Sequence, residues 1–203
     1  MTLLRKPYLG FIFALVVLAV LTRLGPIERS LGVNVRLVYL HGAWVWTAIL
    51  ALGASALLAL PGTFLDHEPS QRWSKALGQV GMIFWLTYLP MSIWTMQANW
   101  NGLYLAEPRF RIGLDFAVIG ILLQAAILII AKPRISSLLN LSFFIALAIS
   151  LSRAEQVMHP PSPIMTSDSL LIRGYFLALL VVAFAAGVTL TMWLIDLQTD
   201  RTT

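Results

Sequence analysis

The chain alternates between long uncharged runs and short charged punctuation. Runs free of Asp, Glu, Lys and Arg, with their margins, mark out about residues 7–24, 37–60, 76–98, 112–131, 135–157 and 169–196. A bilayer core about 30 Å thick is crossed by about 20 apolar residues in an α-helix. Each run therefore predicts one transmembrane helix, six in all, forming an all-α polytopic bundle. Within lipid the backbone satisfies its own hydrogen bonds only in helices or closed barrels. The period-two alternation of a barrel strand is absent here. Arg5 and Lys6 resemble the basic start of a signal peptide, but Leu21-Thr22-Arg23-Leu24 supplies no small-residue cleavage site, so the first run is read as a retained helix. Neither internal repeats nor low-complexity tracts interrupt residues 1–203, which read as one transmembrane domain.

Composition narrows the function. Of 203 residues, 59% are hydrophobic and 11% charged, which excludes a soluble globular domain and a disordered chain. The formal charge is +5, but the 14 basic residues are dispersed and form no tract of the kind that follows nucleic acid. Cysteine is absent, so disulfides, zinc thiolates, iron–sulfur clusters and covalent haem attachment are excluded. No nucleophile–base pair marks a hydrolase. Arginines and lysines divide evenly between the two faces, so charge does not set the orientation. Lys6, Lys75 and Lys132 all fall on the face that carries the termini, whereas the other face holds arginine only. Arginine is the cation suited to gripping carboxylates in a fixed fork.

The candidate chemistry lies on that second face. His67 sits in the polar Asp66-His67-Glu68 loop of the terminal face and reads as a solvated residue. His41, near the start of the second span, the loop at 99–111 after the third, and His159, after the fifth, share one depth if the span count is right. Two neutral imidazoles at one depth, from separate helices, can ligate a haem iron from opposite sides. Trp44, Trp46, Trp94, Trp100 and Tyr104 supply aromatic walls, and Arg36, Arg109 and Arg111 supply cations for propionates. Each feature also has a plainer reading, as a helix–helix hydrogen bond, an interfacial aromatic belt or an arginine reaching the headgroups. Asp115 and Glu155 are expected to pair with arginines, Gln124 to bond a neighbouring helix and Met82, Met91 and Met96 to pack. Met96 and Met158 are the methionines whose thioethers could reach an iron at this face. Pro90 is expected to kink the third span.

Three segments together resemble the cytochrome c assembly family, of the haem exporter protein C type (CcmC-like), from about residue 35 to the loop after the fifth span. Arg36…Tyr39-Leu40-His41…Trp46 is similar to the family's Arg-x-x-Tyr-Ile-His opening of the second span. Met158-His159-Pro160-Pro161 is similar to its Leu-His-Gln stretch. Trp100 to Arg111 occupies the place of its tryptophan-rich signature, with Leu103 and Ala106 at tryptophan positions and Tyr104 and Glu107 in place of a tryptophan and the aspartate. The resemblance implies haem b as cofactor, with His41 and His159 as axial ligands and Arg36 and Arg109 facing the propionates. It also implies termini in the cytoplasm, an inner-membrane location and an extracytoplasmic haem site. Its implied partners are a periplasmic haem chaperone, a small single-span subunit and a transporter-like complex. The function so expected is haem handling by ligation and release, without bond chemistry. The rivals are a fixed b-haem subunit and a cofactor-free structural subunit of a larger membrane complex.

Overall fold

The structure, a computed structural model, describes residues 6–155 and 164–200. Among these residues six helices follow in order: α1 (Pro7–Leu24), α2 (Val35–Phe64), α3 (Glu68–Trp100), α4 (Pro108–Ile130), α5 (Pro133–Ser152) and α6 (Leu170–Asp200). All six are long and apolar enough to cross a membrane, and the protein is an all-α multi-pass membrane bundle. Successive helices run in opposite directions. The start of α2, the end of α3, the start of α4, the end of α5 and the start of α6 consequently gather at one end, called here the cavity end.

α2 is the hub. It packs most extensively on α3 and also meets α5, α6 and α1, while α4 docks on α3 and α5. Its buried face repeats every four residues through Ala43, Thr47, Ala51, Ser55 and Ala59. Lipid tails are as apolar as leucine, so close packing of small residues takes over from hydrophobic burial in holding such helices together. The residues turned outward are large and apolar, among them Phe13, Val16, Leu122 and Ile129, as a lipid-facing surface requires.

Polar groups inside the bundle are spent on interhelical bonds. Ser55 Oγ donates to the Ser74 carbonyl at 2.6 Å, and Asn140 Nδ2 donates to the same carbonyl at 3.1 Å, joining α2, α3 and α5. Gln124 Nε2 donates to Asn140 Oδ1 at 3.4 Å and adds α4, as expected of it. Met82 is buried, as expected.

Several helix limits differ from those read off the charges. α3 begins at Glu68, not near 76, because charged residues mark the hydrocarbon edge and not the helix start. His67 caps α3, with its Nδ1 2.8 Å from Ser70 Oγ, and Gln71 Nε2 donates to Gly62 O and Asp66 Oδ1 at 2.8 Å each. The polar loop thus serves as a helix cap, and among the described residues no three His, Asp or Glu side chains gather as a metal site. α5 stops at Ser152, short of the expected 157, where Arg153 caps it. α2 and α3 continue as helices through Pro61 and Pro90. Asp115 and Glu155 are exposed, and among the described residues neither forms the expected ion pair with an arginine.

Candidate functional site

At the cavity end the connection 25–34 is tied down from several sides. Glu28 accepts from the Ser30 hydroxyl at 2.5 Å and from the Leu31 amide at 2.9 Å, and these bonds hold its carboxyl below the usual carboxylate range. Asn34 Nδ2 donates to the Ala98 carbonyl at 2.7 Å, fixing the start of α2 to the end of α3. Arg36 Nε donates to Gly25 O at 2.9 Å, and the Tyr175 hydroxyl donates to Leu21 O.

Beneath this connection lies a cavity of about 600 Å³. The volume falls within the roughly 300–1,000 Å³ range of cofactor and ligand sites. On α2 the wall is Val38, His41, Gly42, Val45, Trp46 and Ile49, a single helical face. On α3 it is Trp85, Tyr88, Ser92, Thr95, Met96, Asn99 and Trp100, again spaced by threes and fours. Glu107, Arg109 and Phe110 from the start of α4, Leu151 and Ser152 from the end of α5, Ile164, Leu31 and Phe176 complete it.

His41 lies with its ring centroid 5.9 Å from that of Tyr88, the planes inclined by 55°. Tyr88 stacks edge-on with Trp85 at 4.9 Å, and Trp85 Nε1 donates to the Gly113 carbonyl at 3.0 Å. Gly113 has no room for a side chain, since a Cβ there would lie 1.5 Å from the Tyr88 hydroxyl oxygen. At the outer corner Trp100 stands edge-on to Tyr104 at 5.6 Å. Asn101 closes α3 in the left-handed region (φ 51°), and Glu107 opens α4, accepting from the Phe110 amide at 2.6 Å with Pro108 in the first turn. Glu107 is 6% exposed, and its Oε1 is buried without a hydrogen-bond partner.

Of the residues singled out in the sequence, His41, Trp46, Met96, Trp100, Glu107 and Arg109 therefore meet on one cavity. Others lie off its wall. Arg36 is engaged by Gly25. Trp44 stacks on Phe84 at 4.4 Å and donates to Thr87 Oγ1 at 2.8 Å. Trp94 is 63% exposed and faces outward, Tyr104 is 42% exposed, and Arg111 is exposed. His159 and Met158 lie outside the described residues. Trp85, Tyr88, Phe110 and Phe176 were missed as wall residues. For the α3 pair the signal was present, because Trp85, Tyr88, Ser92, Thr95 and Asn99 form one stripe of aromatic and polar side chains within a span, with Met96 beside it. No protein-family model and no curated protein matches the sequence.

Proposed function

We propose that the protein binds haem b in this cavity through His41 and passes it on at the extracytoplasmic face of the inner membrane, in the service of cytochrome c maturation. The observation that carries the reading is one imidazole set in an aromatic cavity of about 600 Å³, with Arg109 on the same wall, at one end of a membrane bundle. The donor set suits the cofactor: imidazole and thioether (Met96) are both haem-iron ligands, and the rest of the wall is largely aromatic and aliphatic, with Ser92, Thr95, Asn99, Ser152 and the charged Glu107 and Arg109 as its polar members.

Bound haem supplies an iron that accepts neutral imidazole nitrogens. His41 offers one such nitrogen. Trp46, Trp85, Tyr88 and Trp100 exclude water around the ring, and Arg109 orients the propionate edge. The resemblance makes His159 the second ligand. The described residues on either side of its segment, Leu151, Ser152 and Ile164, line the cavity. The acceptor on this reading is a periplasmic haem chaperone. A second reading, a fixed b-type haem in an electron-transfer assembly, is favoured by Met96, whose buried thioether lies on the wall. Redox cycling without transfer of haem to any acceptor protein identifies that case.

The test is a haemin titration of the purified protein in lipid nanodiscs, followed by the Soret band. His41→Ala and His159→Ala should each lower bound haem and shift the band. Spectra and haem content unchanged in both variants contradict the ligand assignment.

A further inference from the structure

We infer that Glu107 is a charge that opposes the cavity's anionic ligand and so keeps its binding reversible. The inference rests on the haem reading above and adds a means of release to it.

Three features of Glu107 lead there. First, the side chain is 6% exposed and lies on the cavity wall. Second, Oε2 is held 2.6 Å from the Phe110 amide at the start of α4, while Oε1 is buried with no hydrogen-bond partner. Capping alone is done as well by the short side chains of serine, threonine, aspartate or asparagine. A glutamate at this place sets a carboxylate on a largely apolar wall. Buried charges are ordinarily answered by hydrogen bonds or counter-charges, and Oε1 has no hydrogen-bond partner. Third, Arg109 lies two residues on, lining the same cavity, and it and Glu107 are the formally charged side chains among the described wall residues. The carboxylate offsets the attraction that Arg109 exerts on propionates.

Haem b carries two propionates, so a fixed negative charge on the wall repels it. For charges about 10 Å apart at an effective dielectric near 20, the repulsion weakens binding roughly tenfold. A site built for permanent retention gains nothing from such a group. A site that must let its ligand go does.

The test compares the wild-type chain with Glu107→Gln in nanodiscs. Glutamine keeps an oxygen for the Phe110 amide, so the cap survives while the charge is removed. Two probes are titrated, haemin and haemin dimethyl ester, whose esterified propionates carry no charge. Glu107→Gln should bind haemin roughly tenfold more tightly and release it correspondingly more slowly, with no gain for the dimethyl ester. Unchanged or weaker haemin binding overturns the inference, as does an equal gain for both probes, which would reflect packing and not charge. If the wild-type protein binds no haemin at all, or binds it identically without His41, the haem reading itself has failed and this inference falls with it.

Discussion

Gly113 fixes how closely α4 approaches the floor of the cavity. Its carbonyl takes the Trp85 indole bond at 3.0 Å, and its missing side chain leaves space for the Tyr88 hydroxyl. Gly113→Ala is expected to lower stability by about 1–3 kcal/mol, the usual range for overpacking a tight interior, and to weaken haemin binding. Tyr88→Phe removes the atom that the new methyl would strike. The Gly113→Ala/Tyr88→Phe pair should therefore recover part of the loss, and unfolding of all three variants in detergent measures the coupling. Residue identity was legible in the sequence, but facing direction was not always. Trp44 and Trp46 both neighbour His41, yet Trp46 joins the wall while Trp44 turns to Phe84. Depth alone puts Trp94 on the wall. Nine residues beyond Trp85, at about 100° each, it points to the opposite side of α3, and it is 63% exposed.

At the scale of elements, six spans and their order followed from the charge-free runs, because burying backbone in lipid leaves a helix as the simplest solution. Helix limits were less legible, since a helix continues beyond the membrane wherever its cap allows. α3 runs back to its His67 cap through Arg72 and Lys75, and α2 reaches Phe64. The interhelical clamp was only half visible. Gln124 announced itself as a lone amide, whereas its junction with Asn140, Ser74 and Ser55 depends on which helices become neighbours. Asn140→Ala removes the bonds that tie α5 to α3 and α4. Interhelical bonds of this kind contribute about 0.6–1.7 kcal/mol each in membranes, so a loss of about 1–2 kcal/mol is expected, read as a lower unfolding midpoint in detergent mixtures. The His41 site should remain intact, because the clamp lies toward the opposite end of the bundle.

For the whole molecule, the gathering of His41, Trp100, Glu107 and Arg109 at one end follows from parity of spans, and was legible before any coordinate. The cavity itself was not, because its floor is made by Trp85 and Tyr88 deep within α3. The proposed orientation puts this end outside the cytoplasm. The chain has no cysteine, so single introduced thiols report sidedness without interference. Arg29→Cys, at the cavity end, should react with a membrane-impermeant thiol reagent added to intact cells, and Glu68→Cys, at the other end, should react only after lysis. The reverse pattern contradicts the proposed sidedness.

The central claim, that the His41 imidazole ligates haem, is tested most directly by chemical rescue. His41→Gly, loaded with haemin in nanodiscs, should lose the low-spin ferric signal of the wild-type protein in electron paramagnetic resonance and regain it when free imidazole is added. A His41→Gly spectrum identical to that of the wild type, before any imidazole is present, contradicts the account.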